Sequence, residues 1–170
     1  HGPTVLVSSA HGERRNVMAA AWSMPLDFSP SKVAAVIDKA TLTRELVEAS
    51  GEFVLNVPAR KIAALTLAVG SESGRGIDKI AKVGAGATAA TVVEAPLIED
   101  CLAWLECRVM PEPHIQQTYD LFLGEVLAAQ ELPAAAGGHR RLARPAHPQC
   151  RTPARRADAR GRGLDRGGDA

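Results

Sequence analysis

Apolar positions come in short runs along most of the chain, each closed by turn-forming residues. Thr4-Val5-Leu6-Val7-Ser8-Ser9 is β-branched and reads as a strand, and His11-Gly12-Glu13-Arg14 as the turn after it. Residues 17–24 read as a second strand. Their alanines would suit a helix, but the hairpin setting and Pro25 favour extension. Small side chains here leave the backbone open to something flat, beside one large aromatic, Trp22. A loop is expected at 27–31. Residues 32–37 are apolar almost throughout, which predicts a strand buried on both faces. Thr43 reads as the N-cap of a helix over 44–50, with Leu46, Val47 and Ala49 inward and Gly51 at the C′ position. Residues 53–57 read as a strand stopped by Pro58. A second helix is expected at 61–69, then a polar loop at 70–76, a helical piece at 78–83 ended by Gly84, and a short strand at Thr91-Val92-Val93. Residues 102–110 alternate in part, and 119–127 read as the last strand. Six or seven strands with two or three short helices, and no internal repeat, predict a mainly β fold: a β-barrel with helical excursions, not a βαβ winding.

At Pro133 the composition changes. Residues 1–132 read as one domain and 133–170 as a tail of Ala, Gly, Pro, Arg, Asp and His, with Leu142 and Leu164 its only large apolar residues. Such a segment buries too little to offset its ordering entropy. The body carries 11 Lys and Arg against 16 Asp and Glu, and the tail 9 Arg against 3 Asp, so a net −5 is followed by +6. Three readings compete: a natural disordered basic tail, a nucleic-acid arm, and an out-of-frame translation of GC-rich codons. The arm lacks aromatics for base stacking. A barrel should end in another strand, which this composition does not offer. Both points favour the out-of-frame reading, and no nucleic-acid partner is expected.

No run approaches the roughly 18–20 apolar residues of a membrane span. His1-Gly2-Pro3 opens no charged-then-apolar leader, and the missing initiator Met implies that residues precede it. Cys101, Cys107 and Cys150 show neither CxxC nor zinc-like spacing and read as reduced thiols of a cytoplasmic protein. On one strand Cys101 and Cys107 would share a face, in the core. Gly84-Ala85-Gly86-Ala87-Thr88-Ala89 fits GxGxxA but lacks a strand before it and a helix after it. Gly70-Ser71-Glu72-Ser73-Gly74 has Glu where a nucleophile elbow needs Ser. His114 has no triad partner, and His139, His147 and Cys150 lie in the tail, so no metal is expected.

The polar set of the body is more informative. Lys39, Thr41 and Thr43 form one cluster, and Ser71, Ser73, Arg75 and Lys79 another, each beside a predicted helix start. Hydroxyls and cations at helix N-termini suit a phosphate. On spacing alone, a solvated loop face is the favoured account of them.

Arg15-Asn16-Val17-Met18-Ala19, Trp22-Ser23 and Ser50-Gly51-Glu52-Phe53-Val54-Leu55-Asn56 occur in this order. They are followed by Ser73-Gly74-Arg75, Asp78-Lys79, Ala95-Pro96-Leu97-Ile98-Glu99, Leu105-Glu106-Cys107 and Leu123-Gly124-Glu125-Val126. Over residues 3–130 this arrangement resembles the flavin reductase-like family, and most its flavoredoxin branch. The resemblance implies an FMN-binding split barrel of Greek-key type, working as a homodimer with flavin at or near the interface. It implies that Asn16, Ala20, Ala21, Trp22 and Ser23 lie along the ring and ribityl chain, and that Lys39, Thr41 and Thr43 approach the phosphate. Ser71, Ser73, Gly74, Arg75 and Lys79 would hold FMN from the other side. NAD(P)H or a redox-protein partner would supply electrons to an FMN-dependent reductase of free flavin or another small acceptor, and no catalytic acid or base is required. The alternatives are an electron carrier that holds FMN and a barrel that has lost its flavin and serves as a binding module. Two departures stand out. Thr118-Tyr119-Asp120 replaces a His-containing segment of the NAD(P)H-dependent branch, and the family's final strand is missing, replaced by the tail.

Overall fold

The computed structural model describes residues 2–132 and 140–142. The strands are β1 (Val5–His11), β2 (Arg14–Ala20), β3 (Ser23–Phe28), β4 (Ser31–Val36), β5 (Glu52–Pro58), β6 (Ala87–Thr88), β7 (Leu97–Ile98), β8 (Cys101–Met110), β9 (Leu121–Glu131) and β10 (Arg140–Leu142). The helices are α1 (Leu42–Ser50), α2 (Ala63–Ser71), α3 (Lys79–Lys82) and α4 (Pro113–Tyr119), with a 3-10 turn at Arg60–Ile62 before α2. None of these helices is long and apolar enough to cross a membrane.

The main sheet runs β2-β1-β5-β8-β9-β4-β3, all antiparallel, with β10 also paired to β9. Its two ends, β2 and β3, are consecutive in sequence, with only Ala21 and Trp22 between them. Such a link spans at most about 11 Å, so the sheet must curl until its ends meet. Trp22 starts the β3 side of this seam, its carbonyl accepting the Val36 amide at 2.9 Å as the β3–β4 pairing continues.

Two cores follow. Inside the barrel, Val5, Val7, Val33, Phe53, Leu55 and Phe122 pack with Val47 of α1. Gly124 permits this, since a Cβ there would lie 2.6 Å from Phe53 Cζ. Outside, Leu6, Val17, Val54 and Trp104 are covered by Ile62, Val69, Ile80, Leu97 and Ile98, brought by the turn before α2, by α2, by α3 and by β7. Each large side chain so buried contributes about 1.5–3 kcal/mol.

Several elements differ from the sequence reading. Residues 17–24 are not one strand but the end of β2 and the start of β3, because the barrel seam falls between them. Residues 27–28 belong to β3, paired with Lys32 and Ser31, so the turn shrinks to Ser29-Pro30. The N-cap of α1 is Thr41, whose hydroxyl accepts the Arg44 amide at 3.2 Å, and Thr43 is buried inside the first turn. Gly51 ends the helix at φ 71°, as its position implied. Thr91-Val92-Val93 is not a strand. The Thr91 and Val92 amides are taken by the buried Glu106 carboxylate at 2.9 and 2.7 Å. Tyr119 ends a helix, α4, that the pattern did not announce.

Cys101 and Cys107 do not share a face. Between Pro58↔Cys101 and Val57↔Ala103 the pairing skips Leu102, and this bulge inverts the alternation. Cys101 joins the outer core with Trp104, and Cys107 the inner one. Burial pushes both thiols up, Cys101 to about 12. A strand does follow β9: Arg140, Arg141 and Leu142 pair with Glu131, Gln130 and Ala129. The other residues of the 133–170 segment, including His139, His147 and Cys150, lie outside the described residues.

Candidate functional site

The outer flank of β2 meets the first turn of α1 and the segment that follows α2. Asn16 of β2 is buried and donates from Nδ2 to Thr43 Oγ1 at 2.9 Å. Its Oδ1 has no hydrogen-bond partner, and neither does Oγ of buried Ser9, its cross-strand neighbour. Buried polar atoms are normally satisfied, so two orphans in one cross-strand pair mark an unusual spot. Gly74 lies on Asn16, where a Cβ would come within 2.2 Å of Oδ1.

Arg75 follows. Its Nη2 donates to the Ala40 carbonyl at 3.1 Å, and its guanidinium pairs with Glu45. Ser73 Oγ accepts the Arg75 amide at 3.4 Å. Ala40 sits in a tight turn: the Ala40 amide donates to Asp38 Oδ1 at 2.7 Å, and the Thr41 amide and hydroxyl donate to the Asp38 carbonyl at 3.0 and 2.7 Å. Asn16, Thr41, Thr43, Ser73, Gly74 and Arg75 therefore converge at the α1 N-terminus. That end carries the positive pole of the helix and a charged guanidinium, a combination that favours an anionic group.

On the other face of β2, that strand, the end of β5 and α2 line a cleft of about 480 Å³, mostly apolar and including Ala19, Pro58, Ala63, Leu67 and Gly70, with Ser71 at one side. The Ser71 hydroxyl is already used on the Leu67 carbonyl at 2.8 Å. Gly70 lets α2 approach β2 closely here, since a Cβ on it would lie 3.1 Å from Ala19 Cβ.

Other expected residues fall elsewhere. Ala20 points into the inner core. Ala21, Trp22 and Ser23 lie at the barrel seam, with Trp22 65% exposed and Ser23 paired with Ala35 of β4. Lys39 is exposed on the turn before α1. Lys79 is buried, and its ammonium donates to the Val69 and Glu72 carbonyls at 2.9 and 3.0 Å. Burial pushes its pKa down, against the opposing pull of Glu72. It closes the end of α2 instead of facing the α1 turn.

Arg44 was not singled out from the sequence. It is 6% exposed and makes hydrogen bonds to α1, α4 and the end of β4. Only its pairing with Glu48, one helical turn away, could have been read from spacing.

The flavin reductase like domain model matches residues 1–143. Protein YddH of Escherichia coli (strain K12) is 48% identical over 132 residues, covering 76% of this chain and 70% of YddH. The crystal structure of an FMN-binding domain of flavin reductases-like enzyme from Shewanella baltica OS155 superposes with a TM-score of 0.73 at 45% identity, over 76% of this chain and 68% of that one. Flavoredoxin of Desulfovibrio vulgaris (Miyazaki F) gives 0.71 at 26% identity, over 78% and 70%. With its seamed antiparallel barrel and ordered motifs, the chain belongs to the flavin reductase-like family and has its split-barrel fold.

Proposed function

We propose that the chain binds FMN and works as an oxidoreductase, taking hydride or electrons from NAD(P)H or a redox partner and passing them to free flavin or another small acceptor. The observation that carries this reading is a pair of environments on either side of the free edge of β2: a polar, cationic turn at Thr41 and Arg75, and an apolar cleft lined by Ala19 and Gly70. They match the two ends of FMN, a phosphate and a flat ring. Gly74 and the unpartnered Asn16 Oδ1 fit a polar chain passing between them.

FMN, when bound, supplies the electron chemistry. The residues of the chain bind and orient it. Arg75 and the first turn of α1 hold the phosphate, with Ser73 beside them. The cleft lined by Ala19 and Gly70 takes the ring. No side chain of the site is needed as an acid or base. Met24, Leu26 and Phe28 of the edge strand β3, and Trp22 just before it, are large apolar residues left 59, 48, 95 and 65% exposed. This supports a homodimer that covers them.

The visible absorbance of purified protein tests the reading: flavin bands should be present, or should appear on FMN titration. A colourless protein that does not take up FMN overturns it. Arg75→Ala should weaken FMN binding by about 1.5–3 kcal/mol, the worth of a charge-assisted hydrogen bond, and unchanged affinity would remove the phosphate assignment.

A second reading, an electron carrier that holds FMN and oxidises little NAD(P)H, is favoured by the 118–120 stretch. It offers no histidine, and the Asp120 carboxylate is engaged by Arg44. NADH and NADPH oxidation assays with added FMN separate the two.

A further inference from the structure

We infer that Arg44 is a positioning residue for the phosphate end of the site, and that it makes FMN retention depend on the α4–β9 corner, which lines neither environment of that site. The inference rests on the phosphate reading above.

The Arg44 guanidinium is buried and stands 4.7 Å over the Phe122 ring centroid. Nε donates to Glu48 Oε1 at 2.6 Å, Nη1 to the Ile37 carbonyl at 3.2 Å and to Asp120 Oδ1 at 2.9 Å, and Nη2 to the Gln116 carbonyl at 3.0 Å. Three of these partners belong to other parts of the chain: the exit of β4, the body of α4, and Asp120, the left-handed residue (φ 55°) that ends α4.

The consequence lies in the turn before α1. Ile37, the residue just before that turn, is held on both sides: its amide donates to the Asp120 carbonyl at 2.8 Å, and its carbonyl accepts from Arg44. At the other end, the Arg44 amide donates to the Thr41 hydroxyl. One residue therefore closes the turn that carries Lys39, Ala40 and Thr41, with its backbone at one end and its side chain at the other. Arg75 docks on that turn at the Ala40 carbonyl. A planar fork serves three elements in one fixed geometry, which the point charge of a lysine on a flexible stem does not reproduce.

The test is equilibrium titration of the full chain with FMN and, separately, with riboflavin, which has the ring but no phosphate. It uses wild type, Arg44→Lys, Asp120→Asn, Glu48→Gln and Arg75→Ala. Arg44→Lys and Asp120→Asn should each weaken FMN by about tenfold while riboflavin changes by less than about twofold. Glu48→Gln, which touches only α1, should leave both ligands unchanged. Equal losses for FMN and riboflavin, or no loss, in Asp120→Asn overturn the inference, and that variant decides the matter if Arg44→Lys does not fold. If wild type prefers FMN and Arg75→Ala removes the preference while both corner variants keep it, the inference alone fails. If wild type shows no preference for FMN over riboflavin, the phosphate reading fails and takes the inference with it.

Discussion

At the scale of single residues, two glycines are required by what lies against them. Gly124 faces Phe53 in the inner core, and Gly74 faces Asn16 on the flank of β2. Gly124→Ala should cost about 1–3 kcal/mol in chemical denaturation, because Phe53 must leave its position in a packed core. Gly74→Ala belongs to a different class. Gly74 is buried on Asn16, but its neighbours Ser73 and Arg75 are exposed and the loop can lift away, so stability should change little while FMN affinity falls in titration. A Gly74→Ala protein that binds FMN like wild type would show that the close approach to Asn16 serves the fold alone. Lys79 shows how a residue suited to one chemistry is claimed by another. In the sequence it is a cation beside a helix start. In the structure its charge is taken up by two carbonyls at the end of α2, so Lys79→Met should lower stability by about 1–3 kcal/mol, the penalty of leaving such acceptors unpaired.

At the scale of elements, α3 is a short helix held by its first residues. Asp78 caps it, accepting the Ala81 amide at 3.2 Å, and pairs with Arg15 of β2 at 2.9 Å. Burial alone would raise the Asp78 carboxyl, but the Ala81 amide and the Arg15 side chain hold it below its ordinary 3.8. A lowered carboxyl contributes stability that is present above 3.8 and lost as pH falls through the folded-state value. The difference in thermal midpoint between wild type and Asp78→Asn should therefore be largest above that pH and shrink below it. A constant difference would mean that the carboxylate charge contributes nothing there. Glu106 does comparable work for the excursion between α3 and β8, since its buried carboxylate gathers two amides and the Gln130 side chain.

At the scale of the whole molecule, the barrel seam leaves β3 as an edge strand, and Met24, Leu26 and Phe28 on it, with Trp22 just before it, are exposed. Exposed apolar residues on edge strands are a liability unless something covers them. Sedimentation should show a dimer, and Phe28→Asp with Leu26→Asp should yield a monomer that binds FMN more weakly. A monomeric wild type with full FMN affinity would separate this edge from the site.

The sequence by itself determined the local elements and the order of the motifs. β-branched runs specified β1 and β5, Gly51 the end of α1, and the Asn16, Ser73 and Arg75 neighbourhoods the likeness to flavin reductases. These signals are local or depend on spacing, which is why they could be read. What only the tertiary structure decided are matters of closure and competition. The break at Ala21 and Trp22 exists because the two ends of a curled sheet meet there. Cys101 and Cys107 part because a bulge at Leu102 inverts one strand's alternation. Thr91 and Val92 leave the strand pattern because a carboxylate fifteen and fourteen residues away takes their amides. Arg44 becomes a tie between three elements because folding brings Asp120 to it from 76 residues along the chain. No window of sequence contains those partners, so nothing short of the folded chain could name them.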